Sequence, residues 1–508
     1  MSASNQHPTI PPGSGALFFI QTFSTLGFAV LYSTLVLYAT KRLGFSESQA
    51  NAMMGVFGAF NYGLHLFGGY LGGRYLSNRN LFVMGMVLQV IGCYFIAEMG
   101  ITGLYWGLAM FLTGSGLNVT CLNMMLTQRF APDDHRRESA FLWNYAGMNL
   151  GFFIGFSVAG YFQLTEDYRT LFLFATLGNI IAIIATFACW PILADISTPL
   201  RHVKGSGFYR RMLAGIAILA MLVPALRLLL THASFSGSFV LILGAVVLVL
   251  LCVMTARHPD AAERSRMVAY LILALGSLIF WSLYQLAPMG LMLFSEHNIN
   301  LNVFGLRVAP QWIQNINTLV IVIGGPLMAL LFKRLREQGW NIDIPSQFAA
   351  SLFCMGLGML VLPIGIHLAG ADGLVAFKWI AISYVLQSFG LPHRLRHDWQ
   401  AGPRQPARPA DGLLDDGDRR CLRAGGLCLQ RHAAEYRQHP GRHQPWLQLG
   451  IQYAGLGLAG GRDRPAVAGA PSAPTDRLEN HPATGGDSHS CLIGFGPAIL
   501  LAPASADG

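Results

Sequence analysis

Long apolar segments follow one another through the first 390 residues of the chain, and short polar loops separate them. Most of these segments approach the roughly 20 residues that a helix needs to cross a bilayer. Because backbone groups in lipid must form their hydrogen bonds within one segment, the pattern predicts helices and not isolated strands. Twelve helical segments are predicted, at residues 16–39, 50–71, 81–98, 103–126, 139–163, 170–192, 212–231, 236–255, 267–294, 314–332, 347–368 and 375–390.

The character of the chain changes at Gly390. From Leu391 to Gly508 it is rich in Arg, Pro, Gly, Ala and His, has neither Lys nor Met, and holds no apolar run long enough to cross a bilayer. This composition predicts a disordered tail. The Cys and His residues of the tail lack the close pairing of a zinc site. Its basic residues could contact anionic lipid, but Asp residues are interspersed among them.

Composition indicates a membrane protein. The mean hydropathy is +0.45, with 53% hydrophobic and 12% charged residues, whereas about a quarter of the residues in a soluble domain are charged. The formal charge of +9 does not indicate nucleic-acid binding, because the basic residues lie in alternate loops. The positive-inside rule places those loops and the N-terminus in the cytoplasm. We also expect a multi-pass protein of a bacterial-type inner (plasma) membrane. Lys41 and Arg42, which follow the first segment, are the main exception.

Several short motifs carry a resemblance to a known family. The most specific is the block from Phe280 to Pro326, which contains Phe-Trp-Ser-Leu-Tyr-Gln and Ala-Pro-Gln-Trp-Ile-Gln-Asn-Ile-Asn. Further matching motifs occur at Gly68–Leu71, Asp134–Arg137, Asn144–Gly151 and Tyr384–Gly390. With these motifs, residues 16–390 resemble the proton-dependent oligopeptide transporter (POT, or PTR) family of the major facilitator superfamily.

The resemblance implies an all-α, polytopic membrane bundle of the major-facilitator type, with two extra helices between its halves. In such folds the solute site lies between the halves near mid-membrane. The predicted organisation is an N-terminal six-helix half at 1–192, a cytoplasmic linker with two accessory helices at 193–266, an incomplete four-helix half at 267–390, and the tail at 391–508.

The resemblance also implies alternating-access transport of di- or tripeptides, coupled to protons through ionisable groups buried in the bundle. In this chain those groups are replaced by neutral residues, and acids are lost together with their basic partners. This coordinated loss favours a charge-depleted branch, because amide and hydroxyl side chains hydrogen-bond a polar solute but cannot take up a proton near neutral pH. The positions concerned hold Gln21, Ser24, Thr25, Tyr32, Gly55, Gly73, Val119 and Gln285.

Polar and aromatic side chains that remain in the spans are the predicted solute-binding residues. Four of them match positions that contact peptide in the family, and four others lie near these in the alignment. An Asn in an apolar helix can instead hydrogen-bond a neighbouring helix, and aromatic side chains pack well without a ligand. The first four are Tyr62, Asn149, Trp281 and Asn317, and the others are Gln21, Tyr32, Gln285 and Gln314.

His65 is the candidate for proton coupling, since histidine titrates near physiological pH. The alternative is a hydrogen-bonded packing histidine. Arg227, in the first accessory helix, is predicted to snorkel or to face a groove. No metal or cofactor is predicted. The expected partners are the lipid bilayer and a small peptide or polar solute, and protons as a partner stay an open question.

A frameshift explains the tail better than either disorder or a metal site does. When the codons for His397 to Gly412 are shifted by one base, they permit Met-Ile-Gly-Lys-Leu-Ala-Pro followed by a further apolar run. That string resembles the family's connection between its tenth and eleventh helices. We interpret residues 391–508 as a frameshifted translation, which accounts for the abrupt boundary and for the two missing helices.

Three classes of function compete. A secondary transporter on this fold is the leading hypothesis. A non-transporting membrane receptor or scaffold is the alternative that the missing charges permit, and the chain as written could also be an inactive frameshifted product. A membrane-embedded enzyme has little support, because no acid pair or His-rich metal cluster converges in the predicted spans and the Ser and Cys residues there lack a base partner.

Overall fold

We describe the chain from a computed structural model, which places residues 13–131, 134, 136–339, 344–369 and 373–389. The predicted tail, residues 391–508, lies outside the described residues. Nine helices of this part of the chain are long and apolar enough to cross a membrane. The helices are α1 (Ser14–Lys41), α2 (Glu47–Leu71), α3 (Asn78–Glu98), α4 (Gly100–Thr127), α5 (Arg136–Thr165), α6 (Tyr168–Ala188), α7 (Ser206–Thr231), α8 (Ala233–Ala256), α9 (Ala261–Tyr284), α10 (Gly290–Asn298), α11 (Pro310–Glu337), α12 (Ile344–His367) and α13 (Phe377–Phe389), with a short 3-10 helix at Pro199–His202.

Polar residues fix the starts of several helices. Before α2, the Ser46 hydroxyl accepts a hydrogen bond from the Gln49 backbone N–H at 3.2 Å, and the Gln49 side chain accepts one from the Ser46 N–H at 3.1 Å. This reciprocal arrangement is a capping box. Asp167 starts α6 by accepting from the Thr170 N–H at 3.1 Å. Hydrogen bonds from Thr170 lower the pKa of the Asp167 carboxyl. The bond from the Thr170 side chain has the larger effect and the bond from its backbone the smaller.

The largest apolar core lies mainly among α1 to α6 and also includes side chains of α7 and α10. Glycines bring the first six helices close together. A Cβ atom at Gly92 of α3 would lie 2.6 Å from the backbone oxygen of Gly107 on α4, so a side chain does not fit there. Small residues let membrane helices approach in this way. Gly151, from the Asn-x-Gly motif, plays the same part between α5 and α1, where a Cβ would collide with the backbone oxygen of Thr22.

The two helices between the predicted halves pack against the first six. One face of α7 is buried in contact with α4, and α8 contacts α2 and α9. The buried side chains of α7 are Leu219, Val223, Leu226 and Leu230. Much of α8 remains exposed, as expected for a helix that faces lipid. The division at residues 192, 266 and 390 stays a prediction.

The ninth predicted segment, 267–294, is not one continuous helix. α9 ends at Tyr284 and α10 begins at Gly290. Pro288 accounts for the interruption, because proline has no N–H to donate and disfavours helical geometry at the residue before it. The backbone carbonyl of Ala287, freed by the break, accepts a hydrogen bond from Gln314 Nε2 at 3.2 Å. Discontinuous helices are common at solute sites in transporters.

The remaining helices form a second group with smaller cores. α13 packs on α11 and α12, and α9 contacts α12. Two short pairs of strands lie in the connections: β1 (Ile299–Asn300) pairs in parallel with β4 (Val375–Ala376), and β2 (Asn302–Val303) forms a hairpin with β3 (Leu306–Arg307). The apolar pattern did not reveal these two-residue strands. The two groups meet where α5 contacts α11 and where α1 contacts α10.

Candidate functional site

A direct hydrogen bond joins the two groups of helices beside the break between α9 and α10. Tyr32 on α1 donates from its hydroxyl to Gln285 Oε1 at 2.6 Å. Gln285 is 3% exposed. Gly58 on α2 lies alongside, since a Cβ there would be 3.3 Å from Gln285 Nε2. Three helices from different parts of the sequence therefore meet at one neutral, buried hydrogen bond.

Four further tyrosines lie around this contact. Together with Tyr32 we call them the tyrosine cluster: Tyr32, Tyr62, Tyr145, Tyr284 and Tyr384. The other four members all lie near Tyr284. They come from α1, α2, α5, α9 and α13, so both groups of helices contribute. A tyrosine supplies an apolar ring and a hydroxyl that both donates and accepts. The cluster can therefore hold a polar solute by stacking and hydrogen bonding together.

Asn317 on α11 connects this cluster to α13. Its Nδ2 donates to the Tyr284 hydroxyl at 2.9 Å, and its Oδ1 accepts from the Ser388 hydroxyl at 2.7 Å. Both the amide nitrogen and the amide oxygen of Asn317 thus form hydrogen bonds within the second group of helices. Asn317 was predicted as a site residue, whereas Ser388, 71 positions further along the chain, lies in the Tyr384–Gly390 motif but was not predicted as one.

Asn149 and Trp281 contact the cluster through its tyrosines. Asn149 is buried on α5 and donates from Nδ2 to the backbone oxygen of Tyr145 at 2.9 Å. The ring of Trp281 packs edge-on against Tyr284, with centroids 5.3 Å apart. Six of the eight predicted site residues therefore come together: Tyr32, Tyr62, Asn149, Trp281, Gln285 and Asn317. Solute binding by any of them stays a prediction.

Gln21 and Gln314 do not join this cluster through a direct side-chain contact. Gln21 on α1 donates from Nε2 to Thr25 at 2.9 Å and accepts from Asn144 of α5 at 3.5 Å. It lies about 16 Å along α1 from Tyr32, at 1.5 Å per residue. Gln314 supports the helix break by its bond to Ala287. Both assignments came from alignment, which does not distinguish a residue that faces the cluster from one that stabilises the helices around it.

His65 lies one helical turn from Tyr62 on α2. Its ring packs edge-on against the Tyr62 ring at 5.6 Å, and its Nε2 is buried without a hydrogen-bond partner. The backbone oxygen of His65 accepts a bond from Thr120 of α4 at 2.7 Å. The position thus lies beside the cluster, while its role in proton coupling stays a prediction. Among the described residues, no group of three His, Cys, Asp or Glu side chains is placed to hold a metal ion.

Ion pairs hold the two groups of helices together at the end where α1 finishes. Lys41 at the end of α1 pairs with Glu296 of α10, and also with Glu166 before α6 at 3.2 Å. Beside them, His297 Nδ1 lies 3.2 Å from Glu47 Oε1 at the start of α2. We call these five residues the latch. One sign of the latch is visible in the sequence, where Lys41 is an exception to the charge pattern of the loops.

A second polar contact between the groups lies along α5 and α11. Trp312 Nε1 donates to the Ser157 backbone oxygen at 2.9 Å, and Asn315 Nδ2 donates to the Ser157 hydroxyl at 2.9 Å. Gln311 Nε2 donates to Gln163 Oε1 at 3.1 Å. Gly160 leaves space for the indole of Trp312. The most specific sequence block therefore contributes partly to helix packing and partly, through Asn317, to the tyrosine cluster.

Comparison with a family model decides the relationship. The model of the POT family (PTR2) matches residues 79–396, well over half of the chain. The chain belongs to the POT family. This family comprises membrane transporters and not enzymes, and its members share the major-facilitator-like helical fold described above.

Curated relatives within the POT family are bacterial permeases. Dipeptide and tripeptide permease B of Salmonella typhimurium is 27% identical over 377 residues, which cover 74% of this chain and 76% of that protein. Dipeptide and tripeptide permease A of Erwinia pyrifoliae is 28% identical over 404 residues, covering 77% and 80%.

Solved POT-family structures match at the level of the fold and the sequence. A crystal structure of a peptide transporter POT in complex with sulfate has a TM-score of 0.67 and 27% identity, and covers 75% of this chain and 80% of that chain. A POT structure in complex with alafosfalin has the same TM-score and 28% identity.

The contact between Tyr32 and Gln285 is neutral. The resemblance implies an arginine at the position of Tyr32 and, in many members, an acid at the position of Gln285. In this chain the two positions are joined by a hydrogen bond between uncharged side chains. Neither side chain therefore leaves a buried charge without a partner, which would be costly in a bilayer.

Proposed function

We propose that this POT-family chain is a secondary-active transporter of di- or tripeptides or of related small polar solutes. The Tyr32–Gln285 bond carries the proposal, because it joins the two groups of helices at the residues that form the candidate site. The relatives named above are dipeptide and tripeptide permeases, which supports this class of solute. We assign the protein to a bacterial-type inner membrane with its N-terminus in the cytoplasm, as the loop charges indicate.

Alternating access is part of the proposal. The latch lies at the end of the bundle that the loop charges assign to the side away from the cytoplasm. With its ion pairs formed, that end is held closed and the site is reached from the other end. Release of the latch would let the two groups separate there. Solute would then pass across the membrane through the space lined by the tyrosine cluster.

Uptake of labelled dialanine into proteoliposomes tests the transport function. We expect uptake above background, and Asn317→Leu should lower it about tenfold or more, because the change leaves the hydroxyls of Tyr284 and Ser388 without their amide partner. Gln338→Ala, which removes an exposed amide just beyond the same helix, is the matched control and should keep full uptake.

Both the chain as written and a version with the reading frame restored after Gly390 enter this assay. Uptake by either version supports transport. Background uptake by both, from vesicles that contain folded protein, would favour the non-transporting receptor or scaffold. Equal loss in Asn317→Leu and Gln338→Ala would remove Asn317 from the site.

Proton coupling is expected to be weak or absent. The Tyr32–Gln285 contact is neutral, and amide and phenol groups do not exchange protons near pH 7. An inward pH gradient across the proteoliposome should therefore change dialanine uptake little. The comparison is uptake with and without the gradient, at one internal pH.

Strong acceleration by the gradient would contradict this expectation. His65→Gln then identifies the coupling group, since it removes the buried imidazole beside Tyr62. His367→Gln, at the exposed end of α12, is the control. Acceleration that disappears only in His65→Gln would assign coupling to His65.

A further inference from the structure

Arg227 lies in a region of the accessory helix α7 that is otherwise apolar. Its guanidinium carbon is 4.7 Å from the centre of the Trp106 ring on α4, a cation–π contact. The nearest residues on the same face of α7 are the buried Val223, Leu226 and Leu230. The side chain therefore lies in the seam between α7 and α4 and does not extend freely to water.

The charge of Arg227 has no counter-ion within the described part of the chain. Its Nε atom is buried and has no hydrogen-bond partner, and no described carboxylate forms an ion pair with it. An arginine among apolar helices is costly. The cost falls when a group from outside the helix supplies the missing acceptor oxygens.

The depth of Arg227 points to the headgroup region. α7 has 26 residues and is about 39 Å long, against roughly 30 Å for the hydrocarbon core. Arg210 and Arg211 lie near the start of α7, so the part that crosses the core is the apolar stretch 212–231, itself about 30 Å long. Arg227 lies four residues, or about 6 Å, before the end of that stretch at Thr231. A long arginine side chain covers this distance, which places its guanidinium at the edge of the hydrocarbon core, within reach of lipid phosphates.

We propose that Arg227, stacked on Trp106, binds the phosphodiester headgroup of a phospholipid in the seam between α4 and α7. Guanidinium presents a planar fork of donors that matches two phosphate oxygens. Tryptophan favours the same interfacial depth. The acyl chains would lie along the exposed apolar side chains of α7, such as Leu228 and Met221. Bound lipid would then connect the accessory helices to the six-helix group.

Native mass spectrometry of the delipidated full chain in detergent tests this site. Phosphatidylglycerol and phosphatidylcholine share the phosphodiester, and both should bind. In a separate thermal unfolding measurement, both should raise the melting temperature of the protein. Diacylglycerol lacks phosphate and should bind much more weakly. Arg227→Gln should lower the affinity for phosphatidylglycerol about tenfold, which corresponds to the loss of one charge-assisted contact. Arg257→Gln, which removes an exposed charge at the end of α8, is the matched control and should bind normally.

Arg227→Lys keeps the charge but loses the planar fork, so its affinity should fall between wild type and Arg227→Gln. This second variant also serves if Arg227→Gln does not fold. Three results would overturn the proposal. They are unchanged lipid affinity in both variants, equal binding of diacylglycerol, and competition by inorganic phosphate at the same concentration as lipid, which would assign Arg227 to a soluble anion.

Discussion

Restoring the reading frame after Gly390 is expected to turn an inactive chain into a transporting one. Between Leu391 and Gly508, Arg, Asp or Pro occurs in every stretch of about 20 residues, and a charge at the centre of a span costs about 2.5–3.5 kcal/mol. The POT-family match ends at residue 396. The frameshift interpretation therefore predicts that the chain as written lacks two spans of the second group and that the restored frame supplies them.

The measurement is dialanine uptake per folded protein, with the written and restored chains reconstituted side by side. Sequencing the locus around the codon for Gly390 is the accompanying control. Equal uptake by both chains, or a locus that reads as written, would establish the segment as a genuine part of the protein. Uptake only by the restored chain would support the frameshift interpretation.

Breaking the latch at Lys41 should produce the second large effect. The Glu296 side chain is 8% exposed and Lys41 is 22% exposed, so this pair is largely removed from water. Lys41→Gln leaves the Glu296 charge without its partner. We expect a loss of roughly 1–3 kcal/mol in stability, between the values for exposed and fully buried pairs, and a marked fall in uptake.

Two further variants separate the latch from a general loss of stability. Glu166→Gln removes the partner of Lys41 that is 61% exposed, and it should have little effect. The double variant Lys41→Gln with Glu296→Gln removes both charges and should recover much of the lost stability. Melting temperature and uptake are measured for all of them. If Glu166→Gln and Lys41→Gln lower the melting temperature and uptake equally, burial of the Lys41–Glu296 pair does not determine its contribution.

The helices could be predicted from the sequence because their apolar pattern is a local property. A run of apolar residues marks a span without any knowledge of its neighbours. The break at Pro288 was missed, although the proline was visible, because the apolar run continues through it to Phe294. Length and hydropathy alone did not separate one long helix from two.

The site could be predicted only in part, because its contacts join residues that are far apart in sequence. Motif resemblance found Tyr32, Gln285 and Asn317, whose side chains make the central hydrogen bonds. Tyr284 and Ser388 lie inside the matching motifs but were not predicted as site residues, because a motif does not show which of its hydroxyls forms a contact. Lys41 appeared only as an irregular charge, and its meaning depended on Glu296, 255 positions later.

The break before Gly290 makes α10 a separate rod of nine residues, about 14 Å long. Gln285 lies just ahead of one end of it, and Glu296 and His297 lie at the other. Turn hydrogen bonds, such as that from the Leu291 N–H to the Leu286 oxygen at 2.9 Å, tie the rod to the end of α9. Met292 and Leu293 on the rod are buried in the largest apolar core. The rod therefore connects three regions at once, because any shift of it at the tyrosine cluster must repack that core as well as strain the ion pairs.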